Sequence, residues 1–183
     1  MSETSSKGNP TVGNAGEVHQ QAGKTAETLR QNAEALRAAL DKAIPNDPDI
    51  QVVAFTKDQP VRVVLRLGTG LIFDAGEVAP NVKGAALLKT VASAVAAQAA
   101  VRLPAAVAVE AHFDSTPLKT TNGWDLTSRR AGAVVKALTD TSPALAALKI
   151  AAQGFADTRP LVPNDGPDHA KNRRVEIVLT VSE

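Results

Sequence analysis

Hydrophobic residues recur along this chain with two different periods, and the change of period separates a helical first part from a mixed second part. In GEVHQQAGKTAETLRQNAEALRAALDKAI, apolar positions return every three or four residues, at Leu29, Ala33, Leu36 and Leu40. This period predicts an amphipathic helix that ends at Pro45-Asn46-Asp47-Pro48. Because the apolar stripe is narrow and rich in alanine, it fits packing on the same domain and a connector or dimerisation helix about equally well.

Strands and helices alternate after Ile50. The segments QVVAF and VRVVLRL predict two strands joined by a short turn, and AAVAVEAHF and RRVEIVLTV predict two later ones. Between them, KGAALLKTVASAVAAQAA and LTSRRAGAVVKALTD predict two helices, the second beginning at about Asp125 as its N-cap. This order predicts an α+β fold, a βαβαβ sandwich in which helices cover a small mixed sheet.

The texture of the chain divides it into three segments. The composition of residues 1–16 predicts a flexible lead-in. Residues 17–48 are predicted to form the connector or dimerisation helix, and residues 49–183 the α+β domain. No apolar run approaches the roughly 20 residues of a membrane helix, and the start lacks the apolar stretch of a signal peptide. The protein is therefore cytoplasmic, or it is a fragment whose export segment lies upstream.

Composition excludes several classes of function. Twenty basic residues against nineteen acidic ones give a formal charge of +1, which argues against a general nucleic-acid binder. With no cysteine, the chain has no disulfide, thiol nucleophile or Cys-ligated zinc site. The segment with glycines at positions 68, 70 and 76 lacks the Lys-Ser/Thr ending of a nucleotide loop. Gly68-Thr69-Gly70 therefore predicts a turn.

The histidines give little support to catalysis. His19, His112 and His169 do not form a metal-ligand spacing with one another. A triad of Ser115, His112 and Asp114 is implausible because neighbouring side chains on an extended segment point in alternating directions.

An acid and a base stand at positions where α/β domains hold ligands. The third strand delivers Asp114 to its C-terminal end, and Arg130 lies more than one turn into the following helix. The loop and the helix can bring both groups to one cleft with a gap between them. A surface salt bridge between Asp114 and Arg130 explains the same residues at least as simply.

The last strand carries two adjacent arginines of opposite parity. Arg173 shares the parity of Val175 and the other apolar residues of the strand, so we expect it near the cleft. Arg174 points the other way, and we expect it to be solvated.

At this point the sequence resembles the OmpA-like C-terminal domain family. The resemblance covers about residues 60–183 and rests on strand-His-x-Asp, a Pro-containing loop, Trp-Asp-Leu-Thr-x-x-Arg-Ala on a helix, Gly-Phe followed by Pro, and a closing Asn-Arg-Arg-Val-Glu-Ile. LIFDAGEVAP matches the family's Phe-Asp-x-Gly segment. The stretch around Trp124 is most like the MotB-type members, which belong to flagellar stators.

The resemblance implies a periplasmic domain that binds the diaminopimelate side chain of peptidoglycan without cutting it. Asp114 falls on the family's ligand-binding acid and Arg130 on its ligand-binding arginine, while Thr116 and Arg173 fall on positions that assist. Diaminopimelate offers an ammonium and a carboxylate on one carbon, and arginine can grip the carboxylate with two hydrogen bonds. No cofactor, metal or nucleic acid is implied. The expected partners are peptidoglycan, a second copy of the chain, and a parent membrane protein or complex upstream.

The sequence departs from the family at three positions. Ala111 and Phe113 replace the usual Gly and Thr, and Gly123 replaces an Asn for which the adjacent Asn122 can substitute. These changes leave two alternatives open. One is an interaction module of the same fold that has lost ligand binding, and the other is a peptidoglycan hydrolase that uses Asp114 or Glu110 with a metal.

Overall fold

The strands form one mixed sheet in the computed structural model, which describes residues 13–101, 104, 106–118 and 121–181. The strand order is β1-β2-β5-β3-β4, and all neighbours are antiparallel except β3 and β4. The bounds are β1 Ile50–Phe55, β2 Arg62–Gly68, β3 Ala106–Ala111, β4 Ile150–Gly154 and β5 Arg174–Thr180.

Four α-helices and two 3-10 turns complete the described fold. The α-helices are α1 Gly13–Ala43, α2 Val82–Val101, α3 Gly123–Thr141 and α4 Pro143–Ala146, and the 3-10 turns are Thr69–Leu71 and His169–Asn172. None of the helices within the described ranges is both long and apolar enough to cross a membrane. The predicted α+β architecture, a small mixed sheet covered by helices, is confirmed.

Alternation along the strands decides which face of the sheet is covered. Every second side chain of each strand points to the face that the helices cover. These side chains form one aliphatic core with the helices, as at Leu65, Val109 and Ile177, which are fully buried. Removing these side chains from water is the main stabilising contribution of the fold. The opposite parity brings charged side chains together on the other face, among them Arg66, Glu110 and Glu176.

Helix α1 packs on its own domain. Ala33 and Leu40 are fully buried, and Leu29 and Leu36 pack against the same core. The apolar stripe is therefore occupied within the chain. Residues 1–12 of the predicted lead-in lie outside the described residues, while residues 13–16 already belong to α1.

Candidate functional site

Asp114 lies three residues past the end of β3 and is buried. The backbone continues the sheet for a short distance, since His112 N donates to Arg174 O and Phe113 N donates to Ala156 O at 2.7 Å. Only 2% of Asp114 is exposed. A buried carboxylate is costly unless it is paired, so its partners define what it can do.

Three groups surround the Asp114 carboxylate, and they divide unequally between its two oxygens. Arg173 Nη1 donates to Oδ2 at 2.8 Å, and His169 Nε2 lies 3.6 Å from the same oxygen. Among the described residues, Oδ1 accepts a hydrogen bond only from the Thr116 backbone N–H, at 3.3 Å. Arg173, which was expected near the cleft, thus lies directly beside the acid. Nothing in the sequence pattern pointed to His169, which a 3-10 turn after a long loop brings there.

Arg130 is buried on a different set of partners. Its Nε donates to Glu77 O at 2.9 Å, its Nη2 donates to Asp74 O at 3.4 Å, and its Cζ stands 4.8 Å from the centre of the Phe73 ring. No carboxylate among the residues that the structure describes lies within 4.0 Å of its guanidinium nitrogens. The expected alternative of a salt bridge between Asp114 and Arg130 is therefore wrong.

Among the described residues, the guanidinium of Arg130 thus contacts only neutral groups, namely backbone carbonyls and an aromatic ring. Burial away from water lowers the pKa of Arg130 below its ordinary value. Carbonyl oxygens and an aromatic face fix the guanidinium plane without neutralising it. Such a group retains a strong attraction for an anion that enters the cavity beside it.

The start of α3 is capped by Asn122. Its Oδ1 accepts from Asp125 N at 2.9 Å, and the helix begins at Gly123. The prediction that Asp125 is the N-cap is wrong, because Asp125 stands three residues further on, inside the first turn. Hydrogen bonds from Thr121 and then Arg129 lower the pKa of Asp125. Asn122 therefore shapes the loop that carries the site, and its side chain is engaged by the helix.

A close approach of β4 and the following residues to α3 fixes the helix relative to Asp114. A Cβ on Gly154 would collide with the backbone of Ser128, so only glycine fits at this point of β4. Thr127 Oγ1 donates to Gly123 O at 2.7 Å and accepts from Ala156 N at 3.1 Å. A Cβ on Gly123 would lie 3.0 Å from that of Ala156, so a larger residue there would require Ala156 to shift by a few tenths of an ångström.

Two adjoining cavities open at this end of the sheet. The larger, of about 620 Å³, is lined among others by Arg130, Arg173 and Phe113. The smaller, of about 210 Å³, is lined by Asp114, Thr116 and Asn122. Phe113 and Leu118 line both cavities, so the two cavities meet at these residues. All five residues expected at the ligand site border one cavity or the other, and Arg130 and Asp114 border different ones.

Arg174, expected to be solvated, is instead buried on the other face of the sheet. Its Nε donates to Glu176 Oε1 at 2.8 Å, and its two terminal nitrogens reach Asn172 O and Arg159 O. Arg66 Nε donates to the same Glu176 oxygen at 2.9 Å. Alternation predicted the correct face of the sheet for Arg174, but the expected exposure was wrong. Glu176 on the same strand supplies a carboxylate, and Asn172 and Arg159 in the preceding turn and loop supply carbonyls.

His112 belongs to this second face. It is almost fully buried and stacks on Phe155 with ring centres 5.4 Å apart, and neither ring nitrogen has a hydrogen-bond partner among the described residues. Its Nε2 stands 3.7 Å from Glu110 Oε2, and one ligand atom each from Glu110, His112 and Glu176 lie within 4.8 Å of one another. These three residues have ligand types that suit a divalent ion.

Charge works against an ion at that cluster. Arg66 and Arg174 both hold Glu176, and Arg159 Nη1 stands 3.5 Å from Glu110. Two carboxylates thus already face three guanidinium groups, and a dication would add to an existing positive excess. Glu110 and Asp114 also have separate partners, so they do not form a shared pair of carboxylates for acid–base chemistry.

Comparison with known proteins gives a consistent picture. Residues 72–174 match the model of the OmpA family. An uncharacterised protein of Bacillus subtilis (strain 168), YtxE, is 34% identical over 125 residues, which is 66% of this chain and 49% of the relative. The chain thus spans about half the length of this curated relative.

Solved structures share the fold. A putative MotB-like protein from Desulfovibrio vulgaris superposes with a TM-score of 0.66 at 21% identity, over 87% of this chain and 98% of the other. The cell wall anchor of the T6SS from Pseudomonas aeruginosa gives 0.61 at 24% identity, over 82% and 97%. A periplasmic domain of Helicobacter pylori MotB gives 0.54 at 26% identity, over 67% and 75%.

Proposed function

Because the chain belongs to the OmpA family, we propose that it binds peptidoglycan non-covalently through the diaminopimelate side chain. The observation that carries the proposal is Arg130, a buried guanidinium that faces a cavity and has no carboxylate partner among the described residues. An enclosed positive charge of this kind favours an anionic group of the ligand, and a planar fork favours a carboxylate.

The second half of the site is Asp114. Within the described part of the chain, its Oδ1 accepts a single long hydrogen bond, from Thr116 N, and so retains acceptor capacity for an ammonium group. Arg173 and His169 hold Oδ2 and thereby fix the carboxylate. In this proposal the ammonium of diaminopimelate binds Asp114 Oδ1, and its carboxylate binds Arg130. Arg173 orients the acid.

The test is calorimetric titration with two stem peptides that differ at one residue. The first contains diaminopimelate, and the second contains lysine, which lacks the side-chain carboxylate. A charged hydrogen bond contributes roughly 1.5–3 kcal/mol. Asp114→Asn and Arg130→Ala should therefore each lower the affinity for the diaminopimelate peptide about tenfold or more. Arg130→Ala should leave the weaker affinity for the lysine peptide unchanged, whereas Asp114→Asn should reduce it.

Arg129→Ala is the matched control, because Arg129 is exposed and adjacent to Arg130. Arg174 is unsuitable as a control, since its burial makes any substitution a stability change. Melting curves of each variant separate loss of affinity from loss of fold. Equal affinity of wild type and Arg130→Ala for the diaminopimelate peptide would refute the placement of the carboxylate.

We also infer that the chain anchors an envelope complex to the cell wall from the periplasm, as part of a membrane-anchored parent protein of the flagellar stator type. Its likeness to the periplasmic domain of Helicobacter pylori MotB supports this setting. Co-sedimentation with diaminopimelate-type sacculi tests it. Folded protein that stays in the supernatant would favour the interaction module that has lost ligand binding, and release of soluble muropeptides would favour the hydrolase.

A homodimer remains part of the proposal. The apolar stripe of α1 was the reason to expect a dimer. Because this stripe packs on the chain's own core, a dimer needs another surface. Light scattering of the whole chain at high concentration tests this. A monomer there would refute the dimer.

A further inference from the structure

Trp124 is exposed beside the smaller cavity. It is the only Trp of the chain, which has no Tyr. The structure leaves 53% of Trp124 in contact with solvent, whereas Phe73 and Phe113 are buried. Indole is the largest apolar side chain, and leaving it in water forgoes the stabilisation that burial provides.

The fold itself does not require an aromatic residue at this point. The buried face of α3 is formed by Leu126, Val134 and Leu138, and Trp124 does not belong to it. The backbone beneath the indole is nevertheless well fixed, because Asn122 caps the helix and Thr127 Oγ1 donates to Gly123 O. An exposed aromatic ring on a rigid support resembles the anchors that dominate binding surfaces.

The chemistry around Trp124 selects the class of ligand. The cavity that it borders is also lined by the acidic residues Asp114 and Asp157 and by the hydroxyl-bearing residues Ser115, Thr116 and Thr121. This combination of acceptors and an aromatic face disfavours an anion and suits a neutral group with many hydroxyls. A pyranose ring is such a group, since it places C–H bonds against the negative face of an indole and hydroxyls toward acceptors.

We propose that Trp124 and this cavity bind a sugar ring of the glycan strand, next to the stem peptide held by Asp114 and Arg130. The inference rests on the proposed function, because Asp114 lines the sugar cavity while Arg130 lines the neighbouring one. A peptide stem is covalently attached to its sugar, so adjoining subsites for the two can be filled by one ligand. The affinity for a disaccharide–peptide should then exceed that for the free peptide.

The fluorescence of Trp124 provides a direct measurement, since no other Trp or Tyr contributes. Three probes are titrated: the diaminopimelate stem peptide alone, the disaccharide–peptide, and the disaccharide alone. We expect the emission to shift with the disaccharide–peptide and with high concentrations of the disaccharide, and to change little with the peptide. Calorimetry on Trp124→Ala should show about tenfold weaker binding of the disaccharide–peptide and an unchanged affinity for the free peptide.

Two further variants make the result specific. Trp124→Phe keeps an aromatic face and should recover part of the affinity for the disaccharide–peptide. Val82→Ala removes another exposed apolar side chain, at the start of α2, and should bind both ligands as the wild type does.

The outcomes separate the two proposals. If the wild type binds the peptide but Trp124→Ala binds the disaccharide–peptide normally, the sugar subsite is wrong and the peptide site stands. If Trp124→Ala weakens both ligands equally, Trp124 contacts the peptide and the sugar subsite is also wrong. If the wild type binds the disaccharide but no peptide, the peptide site fails and the sugar subsite stands. Binding to none of the three probes overturns both.

Discussion

Two pairs of adjacent arginines, Arg129-Arg130 on α3 and Arg173-Arg174 at the start of β5, place their members in opposite surroundings. In each pair the second arginine is buried and the first is more exposed. On the helix, neighbouring residues are turned by about 100°, and on the strand by about 180°, so either geometry can separate two neighbours. Burial alone therefore does not distinguish the two pairs.

The partners of the buried arginines do distinguish them. Arg174 donates to the carboxylate of Glu176, a partner that it shares with Arg66. Arg130 donates to the carbonyls of Glu77 and Asp74, and its charge is not balanced by any described carboxylate. A buried arginine with a carboxylate partner stabilises the native packing. One without such a partner is a candidate for binding an anion.

The largest effect in this comparison is expected for Arg174→Ala. The change leaves Glu176 without one of its two cations and frees the carbonyls of Asn172 and Arg159. Because Glu176 keeps Arg66, the loss comes from one charged hydrogen bond and from the carbonyls left without a donor. We expect a decrease of about 3 kcal/mol in the free energy of unfolding measured with denaturant. A loss below about 1 kcal/mol would show that this network does not stabilise the fold.

Glu176→Gln tests the same network through pH. Burial acts to raise the pKa of Glu176, but the hydrogen bond and charge of Arg174 and the charge of Arg66 outweigh it, and the pKa lies below its ordinary value of 4.5. A lowered pKa means that the carboxylate stabilises the native state above pH 4.5 and that this stabilisation is lost as the pH falls through the folded-state pKa. We expect Glu176→Gln to cost about 2 kcal/mol at neutral pH.

The difference between wild type and Glu176→Gln should shrink as the pH is lowered below about 4.5, since the protonated acid and the amide then carry the same charge. Denaturant unfolding of both proteins at several pH values measures it. A difference that stays constant down to the acid limit of folding would contradict the assignment of a charged, paired Glu176.

Arg173→Ala should have a smaller effect on stability and a clear effect on binding. Its side chain is 38% exposed, and it holds Asp114 at 2.8 Å. Without it, the buried carboxylate of Asp114 retains only the Thr116 N–H and His169 as neighbours among the described residues. We therefore expect a loss of about 1–2 kcal/mol in the free energy of unfolding. The affinity for the diaminopimelate peptide should fall because the acid is no longer oriented. Unchanged binding would mean that Arg173 only balances the charge of Asp114.

The smallest effect is expected for Arg129→Ala. Its guanidinium stands 3.3 Å from Asp125 on the exposed surface of α3. Exposed pairs one helical turn apart are screened by water and contribute little, so the thermal midpoint and the affinity for the peptide should both stay within experimental error. A clear loss of affinity would show that the ligand contacts this side of α3 and would weaken the contrast with Arg130.

Local patterns predicted much of the fold correctly. Alternation predicted the core parity of β5 and the position of Arg173, and helical periodicity predicted α1, α2 and α3. The start of α3 was misjudged because Asn122 and Asp125 are both good capping residues, and only the path of the loop decides between them. The expected exposure of Arg174 was wrong for a different reason. Alternation along a strand gives the face to which a side chain points, but not which other groups cover that face.

The sequence by itself determined the element types, the two faces of the sheet, and the presence of an acid after β3 and an arginine on α3. These depend on short-range periodicity, which the backbone geometry of helices and strands imposes. Only the tertiary structure decided which charges are balanced. Arg66 meets Glu176 across 110 positions of sequence, Arg173 meets Asp114 across 59, and Arg130 meets Glu77 across 53. Pairings over such separations follow from strand order and loop paths, which no local pattern encodes.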